Sequence, residues 1–296
     1  MNRGVVFALG CYIAWGFLAI YWKALSAIPG METTSHRIVW AAVAVALVLT
    51  FQRNWQWLGP TLRQPRLMLT LLATSALIFA NWSIYIYAVN TNRIVESSLG
   101  YFINPLVNVL LGVIFLRERP RIWQWLAIGI ASAGVIYLAF DYGNLPWVAL
   151  SLAFSFGFYG LLKKQATLPT VEGLFMETII LAIPLAIYLF ALELRGVGTF
   201  GHTTWQTNAL LMLAGVVTSV PLLLFSAGAR RVPMTVLGIL QYISPTIQFV
   251  IGIALYREPF SQSQLVGFGF IWVALLLFTV ESSIERHRLH LAMRPH

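Results

Sequence analysis

Charge is scarce in this sequence. Of its 296 residues, 10% are charged and 59% are hydrophobic, whereas a soluble domain carries about 25% charged residues. With a mean hydropathy of +0.78, the chain has too little polar surface for a water-soluble globule, and the expected solvent is a lipid bilayer. Cysteine is nearly missing. Cys11 stands alone in an apolar run, which excludes an internal disulfide, and no Cys/His spacing suggests a metal site. The sequence has no G-x-x-x-x-G-K-[ST] loop, no H-E-x-x-H and no G-x-S-x-G. Nucleotide hydrolysis and the familiar hydrolytic chemistries therefore find no support, and no cofactor is expected. The net charge of +9 does not point to nucleic acid, because the basic residues fall in short segments between apolar runs, where topology signals lie.

What the chain does contain is apolar runs long enough to cross a bilayer, which takes about 20 residues. Ten are present, at roughly 4–22, 34–51, 67–89, 94–116, 121–140, 145–162, 172–192, 208–228, 234–256 and 263–281. The expected fold is an all-α membrane protein of ten transmembrane helices. Five basic residues (Lys23, Arg37, Arg93, Arg195 and Arg257) fall on one side of such an arrangement, and the other fourteen fall on the side of both termini. Basic loops stay in the cytoplasm, so both termini are expected there, in a bacterial cytoplasmic (inner) membrane.

The sequence also repeats. Shifted by 140 residues, Ile103 meets Ile243, Pro105 meets Pro245, Gly112 meets Gly252, and Arg117-Glu118 meets Arg257-Glu258. Shifted by 141, Ala8, Gly16, Phe17 and Lys23 meet Ala149, Gly157, Phe158 and Lys164. Each half holds five spans, an odd number, so the second half must enter the membrane upside down. Two inverted five-helix repeats, 1–143 and 144–284, followed by a basic cytoplasmic tail, 285–296, are the expected organisation. Inverted repeats are a transporter signature, with the substrate near the midplane where the halves meet.

The run Ser98-Leu-Gly-Tyr-Phe-Ile-Asn-Pro-Leu-Val-Asn108 resembles RarD-type permeases of the EamA family, in the drug/metabolite transporter superfamily. So do Thr34-Ser-His-Arg37, Asn81-Trp82, Glu177-Thr178, Gln241-Tyr-Ile-Ser-Pro245 and Phe270-Ile-Trp-Val-Ala274. The resemblance covers nearly the whole chain and implies ten transmembrane helices and an exporter-like permease. The family has glycine before Glu118 and Glu258, where this chain has Arg117 and Arg257.

Ionisable groups inside spans are costly and mark functional candidates. Arg37 reads as a substrate clamp, its guanidinium offering a fixed fork of donors to a carboxylate or other polar anion. Its other reading is an anchor snorkelling to the headgroups. Glu177 reads as a proton-coupling or cation-contact group, against a structural carboxylate holding the bundle together. His36, which changes charge near neutrality, is the second proton-coupling candidate, and at the 141 shift it stands opposite Glu177. Glu96 reads as a helix cap near the outer face.

Asn81, Asn104, Asn108 and Gln241, with Trp82, Tyr101 and Tyr242 beside them, could line a midplane cavity with a few oriented hydrogen bonds among aromatic walls. Polar side chains also tie membrane helices together. Pro105 and Pro245, mid-span at matched positions, are hinge or kink candidates. Gly112, Gly129, Gly252 and Gly269 are expected at close helix contacts.

These features favour a secondary transporter working by alternating access on small polar or amphipathic molecules, whether metabolites, amino acids or drugs. Export is implied by the resemblance alone. A passive facilitator or channel is the alternative; a membrane-embedded lipid enzyme fits less well, since His36 and Glu177 are expected at opposite depths. Membrane lipid and a small-molecule substrate are the expected partners, and a homodimer packed through glycine-containing helices is compatible with the pattern.

Overall fold

The computed structural model describes residues 3–90, 94–142, 147–255, 257 and 261–292. Their side chains are described except at 19, 86, 89, 90, 94–99, 141, 142, 249, 252, 253, 264, 268, 282, 283 and 285–292. Every element among the described residues is a helix: α1 (Arg3–Ala24), α2 (Gly30–Phe51), α3 (Leu58–Leu62), α4 (Pro65–Asn90), α5 (Ile94–Leu116), α6 (Ile122–Tyr142), α7 (Trp147–Gln165), α8 (Thr170–Leu194), α9 (Trp205–Ala229), α10 (Met234–Gln241), α11 (Ile243–Ala254) and α12 (Gln262–Ala292). Lipid offers the backbone no hydrogen-bond partners, so apolar spans fold as helices. Among the described residues, six helices are long and apolar enough to cross a membrane: α1, α2, α4, α6, α8 and α9. The segments Gly100–Leu116 and Leu265–Glu281 are shorter apolar stretches.

The surface is apolar where the interior of a soluble protein would be. Phe51, Phe140 and Leu276 are 86%, 82% and 66% exposed, whereas buried Glu32, Glu172, Glu177 and Lys163 point inward. An aromatic cluster fills the centre. The rings of Trp15, Phe156, Tyr159 and Phe225, from α1, α7 and α9, stand with centroids 5.1–6.1 Å apart.

The packing has a regular plan. α2 lies against α8 and α9, α4 against α7 and α8, α1 against α9 and α11, α5 against α7 and α10, and α6 against α12. Exchange α1 with α7, α2 with α8, α4 with α9, α5 with α10–α11 and α6 with α12, and the same neighbour pairs return.

Two expectations from the sequence need adjustment. The apolar run 234–256 is two helices meeting at Tyr242, whereas the matched Pro105 sits inside unbroken α5. Proline removes one backbone bond and crowds the preceding turn, but the packing around it decides whether the helix breaks. The run at the C-terminus also continues as helix to Ala292, past the point where a polar tail is expected to begin.

The glycines divide as well. An added Cβ at Gly112 would stand 2.8 Å from Glu118 Oε2 and from Met234 Cβ, a genuine close contact. Gly129 and Gly269 have nothing within 4 Å, so they do not tighten any seam. The α6–α12 contact is instead made close by Gly134 and Gly267, where a Cβ would approach Phe270 Cβ to 2.8 Å and Leu138 to 2.6 Å. Spacing puts a glycine on a helix, but the helix's rotation decides which face it occupies. Gly252 lies outside the described side chains, and Glu258 outside the described residues.

Arg117 and Arg257 adopt φ of 54° and 52°, the left-handed region that suits glycine. After α5 this turn lets the Glu118 N–H reach the Gly112 carbonyl at 3.0 Å. It also sends the Glu118 carboxylate onto the start of α10, where it accepts the Met234 N–H at 2.6 Å and the Thr235 N–H at 3.0 Å. A side chain in this conformation is strained. Arg117→Gly and Arg257→Gly are therefore each expected to stabilise the protein by about 0.5–1 kcal/mol after glycine's larger unfolded-state entropy is subtracted. Thermal unfolding in detergent checks this: a melting point that falls for both variants would show the strain is compensated elsewhere.

Candidate functional site

The polar groups inside the bundle gather along α2, α4, α7 and α8. Prolines at 29 and 169 cap α2 and α8 at their N-termini. Each helix carries glutamate at its third position, Glu32 and Glu172, and a charged residue at its eighth, Arg37 and Glu177. These pairs are 140 apart, so Arg37, not His36, corresponds to Glu177. The connection 25–29 after α1 is one residue longer than 166–169 after α7, which absorbs the difference from the 141 shift of the preceding helices.

The two glutamates near the helix starts make matching contacts. Glu32 accepts the Thr199 backbone N–H at 2.8 Å, holding the α8–α9 connection. Glu172 accepts from Asn54 Nδ2 at 2.7 Å, holding the α2–α3 connection. His36 is turned toward the first of these. Its ring lies 4.9 Å from that of Phe200, and its Nε2 is 3.9 Å from Glu32. It therefore faces the α8–α9 connection, and its nearest carboxylate is Glu32 rather than Glu177.

At the eighth position of α8, Glu177 Oε2 stands 2.9 Å from Lys163 Nζ, with side chains only 3% and 5% exposed. Tyr159 OH donates to the same oxygen at 3.3 Å. Lys163 occupies the last turn of α7, where the helix dipole also favours a cation. A narrow cleft of ≈ 10 Å³ reaches this pair from between α4, α8 and α9, past Thr70, Thr74, Ser226 and Arg230. A second, also ≈ 10 Å³, touches Glu177 as well and is walled by Ile38, Ile78, Trp82 and Leu222. Each has room for about one water.

Trp82 continues the line to Arg37. The guanidinium carbon lies 3.9 Å from the Trp82 ring centroid and 4.8 Å from that of Trp22. Tyr85 and Tyr101 stand beside it, with their rings in edge contact at 6.2 Å. Arg37 Nε is buried with no hydrogen-bond partner.

The remaining predicted residues fall into two groups. Asn108 Nδ2 donates to Gln241 Oε1 at 2.7 Å and to Asn104 Oδ1 at 3.3 Å, a buried amide cluster between α5 and α10. Backbone contact is close there: a Cβ on Gly238 would lie 2.5 Å from the Pro105 carbonyl oxygen. Asn81 gives its amide to Leu152 O at 2.8 Å and Ser155 Oγ at 2.9 Å, tying α4 to α7. Tyr242 is fully buried and donates to Phe102 O at 3.1 Å. Glu96 lies outside the described side chains. The structure thus brings Arg37, Trp82 and Tyr101 together, and separately Asn104, Asn108 and Gln241.

Sequence reasoning missed Lys163, Tyr159, Trp22 and Tyr85. Lys163 was hidden by Lys164, because the pair reads as loop charge. The available signal was that both still fall within reach of the sixth span's last turn, where one of two neighbours must face inward.

Comparison with known proteins decides the family. The EamA-like transporter family model matches the chain twice, over residues 2–140 and 146–280. The chain belongs to the EamA-like transporter family. Its EamA relatives include the uncharacterized transporter YojE of Bacillus subtilis, 48% identical over 94% of this chain and 94% of that one. Protein RarD of Escherichia coli is 40% identical over 97% of both. A more distant relative is the chloramphenicol-sensitive protein RarD of Pseudomonas aeruginosa, 29% identical over 93% of both. A solved crystal structure at 18% identity superposes with a TM-score of 0.71, covering 94% of this chain and 98% of that chain, a likeness of fold alone. An EamA chain with these relatives is a membrane transporter by family.

Proposed function

We propose that the protein is a secondary transporter of the bacterial cytoplasmic membrane. It moves small polar or amphipathic molecules outward by alternating access between two inverted halves of five spans each, 1–143 and 144–284, with both termini cytoplasmic. Support for the halves comes from the double family match and from the neighbour pattern that survives their exchange. The excess of basic residues on one side supports the orientation.

The observation that carries the reading is the buried Lys163–Glu177 ion pair, with two clefts that each reach Glu177. A charge pair in a low-dielectric interior holds while both members are ionised, and parting them is expensive. Protonating Glu177 removes the attraction, lets α7 and α8 separate, and joins the two clefts. A proton gradient would in this way drive the conformational cycle. A facilitator that needs no gradient is the second reading, favoured by the extra bond from Tyr159 if the pair never parts.

Uptake into inside-out proteoliposomes, with a panel of amino acids and drugs, a pH gradient on or off, and wild type beside Glu177→Gln, separates the two. Saturable uptake that follows the gradient and is lost in the variant is the expected result. Uptake indifferent to both gradient and variant would make the protein a facilitator with Glu177 structural. No uptake of any compound by folded protein would overturn the transporter reading.

A further inference from the structure

Among the described residues, Arg37 is a charge inside the bundle with no oppositely charged partner. Glu177 is neutralised by Lys163 at 2.9 Å, and Glu32 and Glu172 accept hydrogen bonds from the chain. Among the described residues, no carboxylate lies within ion-pair distance of Arg37. The guanidinium is eight residues into α2, about 10 Å from its start at 1.5 Å per residue. Cation–π contact with two indoles offsets part of the cost of holding a cation there, but it satisfies none of the five N–H donors. A buried donor without an acceptor requires an explanation in a native structure. Snorkelling does not supply one for Nε, which is shielded whatever the terminal nitrogens reach.

Resting on the transporter reading above, we propose that the substrate is an organic carboxylate carrying one negative charge, docked edge-on to Arg37 between Trp22 and Trp82. The geometry selects the class in three ways. Two indole rings crowd the guanidinium, their centroids 4.8 Å and 3.9 Å from its carbon, and its N–H donors all lie in its own plane, so an acceptor docks at its edge. A carboxylate is planar and meets two in-plane N–H groups with two oxygens. Charge balance adds the second constraint: one negative charge makes the loaded site neutral, the condition under which a site moves through a low-dielectric interior at least cost. The third is the open side, where Tyr85 and Tyr101, each 39% exposed, offer ring faces and hydroxyls to the organic part of the ligand. The carboxylate does for Arg37 what Glu177 does for Lys163 at the corresponding level of the other half.

The test uses full-length protein in proteoliposomes and a panel of matched compounds: phenylacetate, phenylacetamide and 2-phenylethylamine; hexanoate, hexanamide and hexylamine; and amino acids beside their amides. Saturable uptake is expected for acids and absent for their amide and amine partners. Arg37→Gln is expected to lower acid uptake roughly 100-fold, and Arg37→Lys, which keeps the charge without the planar fork, roughly 10-fold through KM. Unchanged thermal unfolding of the lysine variant would separate this from misfolding. Saturable uptake of amides or amines in preference to acids would overturn the carboxylate assignment and leave the transporter standing, as would acid uptake that survives Arg37→Lys and Arg37→Gln unchanged. No uptake of any compound by folded wild type would sink the transporter reading and this inference with it.

Discussion

Replacing Lys163 by methionine is expected to destabilise the folded protein by about 3–5 kcal/mol, because it strands the Glu177 carboxylate in a site from which water is nearly absent. Glu177→Gln should cost less, since a lysine in the last turn of α7 still faces helix carbonyls. It leaves the Lys163 ammonium without its anionic partner at 2.9 Å, while the amide oxygen can still accept from Tyr159. The informative variant is the double one. With Lys163→Met and Glu177→Gln together no charge is left at this site, and stability should return most of the way to wild type, giving a coupling energy of about 2–3 kcal/mol. Thermal or denaturant unfolding in one detergent, applied to all four proteins, measures it. Losses that simply add would mean the two groups do not depend on each other, and would remove the physical basis for Glu177 as the element that locks the clefts apart.

Gly215→Ala is the second large effect. A Cβ at this position would lie 2.2 Å from the carbonyl carbon of Trp40 and 2.5 Å from the nitrogen of Ala41. Both are backbone atoms of α2, so no side chain can turn aside; either α2 or α9 must move as a body. Overpacking of this kind costs about 1–3 kcal/mol, and moving α2 also displaces Arg37 relative to Trp82. Gly129→Ala is the control. Nothing stands within 4 Å of that position, and alanine is a better helix former by about 1 kcal/mol, so the control should be neutral or stabilising. A Gly215→Ala protein as stable as the Gly129→Ala protein would show that α2 and α9 slide freely past each other.

These two variants also mark the limit of what the sequence could say. Gly129 and Gly215 are both glycines in apolar helices, and nothing in their neighbourhoods along the chain distinguishes them. One meets open space and the other meets the backbone of α2. Lys163 shows the same limit for charge. It sits beside Lys164 at a span's end and reads as a loop residue. In the structure it is 5% exposed and paired with Glu177, while Lys164 bonds the carbonyls of Ala229 and Val232.

The glutamine and asparagine set divided similarly. Asn108 and Gln241, 133 positions apart, hydrogen-bond each other at 2.7 Å, whereas Asn81 spends its donor on helix α7. The sequence offered the same polar side chain in each place. Arg37, Trp82 and Tyr101 were each candidates in the sequence, but in separate motifs; that they meet, and that Trp22 and Tyr85 join them, came only from the packing.

By itself the sequence determined the solvent, the helices and their approximate ends. Runs of about 20 apolar residues satisfy their backbone hydrogen bonds only as helices in lipid, and that outcome depends on composition along the chain alone. It also carried the repeat, in the matched prolines, glycines and Arg-Glu pairs. Tertiary structure decided the register between the halves at α2 and α8, the break at Tyr242, which glycines lie in seams, and which charges meet. Each of those depends on how far a helix is rotated and which neighbour it touches. That rotation is fixed by contacts between residues more than a hundred positions apart, such as Trp40 with Gly215 and Asn108 with Gln241.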